Sequence, residues 1–166
     1  MNSRRRCRGV ALQALYQCDS LGDLNVKGLE AVFGYFQKII QDENSPAAKT
    51  EEDLSFARLL ATGVIERLSF LDRHIGVAST HWSIARMPRV DRNILRIATY
   101  EIAFCDDIPA KVSINEAIEI AKCFSSDESP MFINGVLNQV CASFTEYPSL
   151  LQEELLKGSY FRAATG

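Results

Sequence analysis

The sequence predicts an all-α fold of six to seven helices. Two observations carry this. Apolar residues recur at spacings of three and four along nearly the whole chain, which marks one buried stripe per helix. No stretch shows the period-two alternation of a half-buried strand. At 166 residues one domain is expected, with helices one to three and four to six as two bundled halves. A hydrophobic share of 47% against 23% charged is that of a globular protein with enough apolar mass for a sizeable core.

The elements follow in order. Cys7, Val10, Ala11, Ala14, Leu15 and Cys18 form the first stripe. Leu29, Val32, Phe33, Phe36, Ile39 and Ile40 form the second. Residues 41–49, with Asn44, Ser45 and Pro46, read as a linker. One long helix is expected over residues 52–79, its stripe running Ala57, Leu60, Ala61, Val64, Leu68, Leu71 and Ile75. A break over 79–88 contains Trp82. The next helix spans 88–104 with Ile94, Leu95, Ala98 and Ile102 inward, and Asp106-Asp107-Ile108-Pro109 ends it. Ser113-Ile114-Asn115-Glu116 has the pattern of a capping box. Ile114, Ala117, Ile118, Ala121 and Phe124 continue that helix. Ser129-Pro130 reads as an N-cap with proline at the first helical position. Ile133, Val136, Leu137, Val140, Cys141 and Phe144 form the last long stripe. Pro148 stops it, and residues 149–157 make one short helix before a loose tail.

Charge is distributed unevenly. The net charge is −3, yet the first eight residues contribute +4 through Arg4, Arg5, Arg6 and Arg8, so the remainder carries −7. No acid precedes Asp19. Guanidinium groups are planar, always charged and suited to phosphate. Such a run is either a nucleic-acid footprint or a solvated tail. The acidic body argues against indiscriminate coating of nucleic acid.

Enzyme chemistry is not expected. No P-loop, G-x-G-x-x-G or G-x-S-x-G occurs, so no cofactor is implied. His74 and His81 lack further ligands at suitable spacing, so no metal is implied either. Five scattered cysteines without a C-x-x-C pair fit neither a disulfide framework nor a zinc knuckle. They suit a reducing, cytoplasmic compartment. No apolar stretch is long enough to span a bilayer. The Arg-rich start shares features with a transit peptide, but it continues into the first helical stripe.

Four further features bear on binding. Arg89, Arg96 and Tyr100 are spaced by seven and four, so they align within about 20° at 100° per residue, with Arg92 nearby. A basic stripe with an aromatic suits phosphate contact plus base stacking, or it is a solvated face with internal ion pairs. Phe132 stands off the last stripe near a helix start, where it stacks a base or widens the core. Tyr16 is exposed beside the basic tip, or packed at the bundle edge. Lys111 sits beside a helix start, in position for a phosphate.

Four segments resemble the NusB family of transcription antitermination factors. They are Arg4-Arg5-Arg6-Cys7-Arg8 with Ala11-Leu12-Gln13-Ala14-Leu15-Tyr16; residues 90–101, Val-Asp-Arg-Asn-Ile-Leu-Arg-Ile-Ala-Thr-Tyr-Glu; residues 108–117, Ile-Pro-Ala-Lys-Val-Ser-Ile-Asn-Glu-Ala; and residues 132–137, Phe-Ile-Asn-Gly-Val-Leu. The resemblance covers about residues 3–144. It implies a helical RNA-binding domain over 1–146, with 147–166 as a C-terminal extension. It implies pairing with NusE, a small-subunit ribosomal protein, and binding of box A RNA. The pair serves the RNA polymerase antitermination complex, notably in ribosomal RNA operons. Arg4, Arg5, Arg6 and Arg8 match the family's RNA-binding motif, and Phe132 lies in a region tied to RNA. With Arg96, Tyr100 and Lys111 they form the expected RNA-binding set. Tyr16 and Asp91 match positions that look toward NusE. A homodimer hiding the RNA surface is compatible with the family. Gly9 stands where many relatives carry an acid, which weakens the first helix. Two alternatives remain: a helical interaction module whose Arg tail serves solubility or localisation, and the RNA-targeting module of a methyltransferase. The second leaves no space in this chain for a cofactor-binding domain.

Overall fold

A computed structural model describes residues 3–41, 51–80 and 82–165, the stretch 158–165 by backbone alone. Most of the expected linker and His81 lie outside the described residues. Among the described residues there are eight α-helices and no strand. They are α1 (Ser3–Leu21), α2 (Val26–Gln41), α3 (Glu51–Glu66), α4 (Leu68–Ala78), α5 (Arg89–Phe104), α6 (Ala110–Phe124), α7 (Ser129–Glu146) and α8 (Ser149–Thr165). A single 3-10 turn at Ile84–Arg86 bridges α4 and α5.

The all-α class is as expected, and the helix count exceeds the expected six to seven. The expected helix over 52–79 is two helices, broken at Arg67 (φ −113°, ψ 17°). Periodicity conceals the break because the stripe continues across it: Leu60, Val64, Leu71 and Ile75 are all buried. The Arg67 guanidinium has other work there. Its Nη1 donates to the Glu154 carbonyl oxygen at 2.8 Å, and it lies 4.9 Å from the Phe104 ring centroid. That contact helps hold α8, which runs on to Thr165 rather than stopping near residue 157. Leu150 and Leu151 pack α8 on the core.

α5 is the central element. It touches α1, α3, α4, α6 and α7. Nearly every residue from Asp91 to Glu101 is buried, polar ones included. α1 packs on α3, and its buried stripe combines the small Ala11, Ala14 and Cys18 with Leu15. It runs through Gly9 without interruption. Gly22 (φ 72°) closes it: the Asp23 N–H reaches back to the Cys18 carbonyl at 2.8 Å, a left-handed cap that favours glycine.

Two local expectations are corrected. Ser113 is not an N-cap: α6 begins at Ala110 behind Pro109 (φ −58°), which places Ser113 a turn inside the helix. Its buried hydroxyl donates to Glu101, and Glu116 accepts from Arg5. Pro130 does occupy the first turn of α7, but the Ser129 hydroxyl donates to Asp91 at 2.8 Å instead of capping. Both serines were claimed by carboxylates remote in sequence. Ile102 is only partly buried, and Phe124, the last residue of α6, is 51% exposed.

Candidate nucleic-acid interface

The arginine run belongs to α1, so its members leave the helix in different directions. Arg4 is exposed and lies 4.0 Å over the Phe56 ring. Arg5 donates from Nε and Nη2 to the Glu116 carboxylate of α6, at 2.7 and 3.0 Å. Those bonds leave Nη1 with its donors. The Arg5 bond and charge hold the Glu116 carboxyl below its ordinary range despite partial burial. Arg6 is held more loosely than Arg5, with Nε 3.5 Å from Asp53 and 42% of its side chain exposed. Arg8 differs from all three. It is 4% exposed and forked onto Glu101 of α5, with bonds of 2.6 to 3.1 Å. Burial acts to discharge Arg8, and its bonds to the Glu101 carboxylate outweigh it. The tip is thus a docked helix end, not a tail. It presents Arg4, Arg5 and Arg6, while Arg8 anchors it and is not offered to a phosphate.

The second basic stripe turns inward. Arg96 is buried: Nε and Nη2 donate to Asp72 of α4 at 2.8 and 2.9 Å, and Nη1 to Asp19 and Asn93 at 3.2 and 3.0 Å. Arg92 forks onto Asp19, at 2.7 Å from Nε. Asn93 donates to Asp19 at 2.9 Å. Burial pushes the Asp19 carboxyl up, but the bonds from Arg92 and Asn93 outweigh it and hold it below its ordinary value. Arg89, half-exposed, is 3.9 Å from Asp19. Tyr100 lies against Gly63 of α3, where a Cβ would come within 2.1 Å of the ring, and beside Phe104. It is packing, not an open platform. The expectation of a phosphate-and-stacking stripe on α5 is therefore corrected for Arg96 and Tyr100. Acids on α1 and α4 reach these arginines because α5 is central.

Asp91 is likewise withdrawn. It is 3% exposed and accepts from Ser125 and Ser129, which fastens the loop ahead of α7. This corrects its expected exposure toward a partner. Phe132 is partly buried, and with Trp82, Met87 and Pro88 it lines a groove of about 250 Å³. Tyr16 is 42% exposed in a groove of about 480 Å³ with Leu12, Val90 and Phe124. Lys111 is exposed in the first turn of α6, five positions before Glu116.

Sequence reasoning missed the acids that organise both arginine groups. Glu101 lies 93 residues from Arg8, Glu116 lies 111 from Arg5, and Asp19 lies 73 from Arg92. No local pattern signals such pairs. His74 is held between Phe70 and Phe144, with centroid distances of 4.5 and 5.2 Å, and burial lowers its pKa. Cys7 and Cys18 are buried and Cys123 is exposed; none of the five cysteines is in a disulfide. Among the described residues, no helix is long and apolar enough to cross a membrane.

Comparison with known proteins gives one family. The NusB family model matches residues 5–142. The transcription antitermination protein NusB of Pelotomaculum thermopropionicum is 43% identical over 150 residues, 90% of this chain and 96% of its own length. T. maritima NusB has a solved structure with TM-score 0.69 and 36% identity, covering 84% of this chain and 90% of that one. A chain in the crystal structure of antitermination factors NusB and NusE in complex with dsRNA is similar at TM-score 0.68. It covers 86% of this chain and 98% of itself, and its 22% identity makes it a likeness of fold.

Proposed function

Because the chain belongs to the NusB family of transcription antitermination proteins, we propose that it is a non-enzymatic RNA-binding adaptor. With NusE it binds box A of nascent RNA and supports RNA polymerase through terminators, notably in ribosomal RNA operons. The observation that carries this is the docked α1 tip. Arg4, Arg5 and Arg6 stand at the surface of an otherwise acidic protein, and their helix is anchored by the buried Arg8–Glu101 pair. A guanidinium held in place loses less entropy on meeting a phosphate than one on a free tail.

In this reading Arg4, Arg5, Arg6 and Lys111 contact phosphates, and Phe132 contributes to base recognition. Tyr16 and its groove face NusE. Arg8, Arg96 and Asp91 are positioning residues that set the helices carrying those groups. Residues 1–146 are the RNA-binding domain, and α8 is an extension braced on Arg67. The protein works in the cytoplasm, where nascent RNA is made.

The test is competition between box A and a scrambled RNA, with and without purified NusE. Phosphate contacts confer affinity with little sequence information, so loss of Arg4, Arg5 or Arg6 weakens both RNAs alike. Phe132→Ala weakens box A selectively, by roughly 1–3 kcal/mol if one base stacks on it. Equal binding of both RNAs by the wild-type protein, with NusE present, would refute the box A reading.

A further inference from the structure

α1 and α6 lie side by side in matching order. Arg5 meets Glu116, and one turn further Gly9, Val10 and Gln13 share a groove with Ile120, Cys123 and Phe124. The groove measures about 360 Å³, within the roughly 300–1,000 Å³ of small-molecule pockets. Position 9 opens onto it: a Cβ built there meets nothing within 4 Å. Its floor is apolar, from Val10 and Ile120, each 5% exposed. Phe124 walls one end with a 51% exposed ring. Gln13 is exposed at the rim, with an amide that offers a donor and an acceptor. Arg5 and Arg6 stand at the mouth.

We propose that this groove is a subsite for one unstacked base of the RNA strand whose phosphates lie on Arg4, Arg5 and Arg6; the proposal rests on the RNA-binding reading above. Three features select a nucleobase. The carboxylates at the mouth are all engaged, Glu116 by Arg5, Asp53 by Arg6 and Glu119 by Lys122, and Arg4 adds a further positive charge, so the entrance favours a polyanion. The interior is apolar with an exposed aromatic wall, suited to the face of a base. The rim amide matches the edge of a base, which needs both a donor and an acceptor. The groove is continuous with the arginine tip, so a strand crossing the tip delivers a base into it without a detour.

The experiment fills the groove and leaves the arginines intact. Gly9→Leu places a side chain in open space and favours the helix; Gly9→Ala is the conservative control. Single-stranded box A RNA is titrated against each, alongside a series in which one nucleotide at a time is abasic. Gly9→Leu is expected to lower affinity about tenfold, the scale of one lost stacked base, with an unchanged salt slope and melting temperature. Gly9→Ala stays near wild type. One abasic position costs the wild type about tenfold and costs Gly9→Leu nothing further. Bound RNA also slows maleimide reaction at Cys123, read by mass spectrometry. If Gly9→Leu melts early, Cys123→Phe fills the groove from its exposed rim, and the abasic series decides. The subsite is overturned if every abasic position costs wild type and filled variant equally while removal of Arg4, Arg5 and Arg6 still weakens binding; the RNA reading then stands. If the wild type binds no RNA even with NusE, both readings fall.

Discussion

The start of α1 and the start of α5 carry the same raw material and use it oppositely. Arg4–Arg8 and Arg89–Arg96 are both arginine-rich helical stretches. At α1 Arg4, Arg5 and Arg6 remain at the surface, and only Arg8 is swallowed. At α5, Arg92 and Arg96 are drawn into an interior network with Asp19, Asp72 and Asn93. The difference is position in the fold. α1 ends at the edge of the bundle, where water solvates whatever the acids do not reach. α5 runs through the centre, where an arginine must be paired or not be there. Local charge density thus says where a cation can be useful, and tertiary placement says whether it is available.

The largest expected effect breaks the central network. Arg96→Ala removes both Arg96 bonds to Asp72, one of the donors to Asp19 and the donor to the Asn93 amide oxygen, which costs about 3–5 kcal/mol by urea denaturation. A loss below about 1 kcal/mol would mean that the network is solvated and the contrast with α1 is false. Arg8→Met tests the one buried member of the tip. It strands the Glu101 carboxylate, 1% exposed, and is expected to cost about 3 kcal/mol, with most of the loss recovered in Arg8→Met/Glu101→Met. No recovery would show that Arg8 contributes packing rather than charge pairing.

Acid separates the regions more gently. Asp19 is held below its ordinary 3.8, so its stabilisation is complete above about pH 4 and is lost as pH falls through its lower folded value. The melting temperature should therefore drop below about pH 4. Asp19→Asn lowers it at neutral pH and flattens the acid decline; an unchanged acid slope would remove Asp19 as its cause. The smallest effect on stability comes from the exposed tip. Arg5→Ala with Arg6→Ala shifts the melting curve least, since both guanidiniums are solvated and Ser3 and Cys7 still donate to the buried Asp53. In RNA titrations Arg4, Arg5, Arg6 and Lys111 give a log–log salt slope of about −2.8, and the double variant about −1.4. An unchanged slope would show that phosphate is bound elsewhere.

By itself the sequence determined the helical class, the placement of most stripes and the basic tip, because these are written at spacings of three and four or in adjacent residues. The stripes of α1 and α7 needed no tertiary information: Val10, Leu15, Ile133 and Leu137 are buried where the periodicity puts them. Tertiary structure alone decided the break at Arg67, which the continuous stripe hides, and the fate of Ser113 and Ser129, whose hydroxyls were taken by Glu101 and Asp91. It also decided which arginines face water. Arg6 and Arg8 are two residues apart, yet one is 42% exposed on its side chain and the other nearly sealed. The physical reason is that burial of a charge depends on a counter-charge brought from far along the chain, and only the folded packing of α1 against α5 and α6 supplies it.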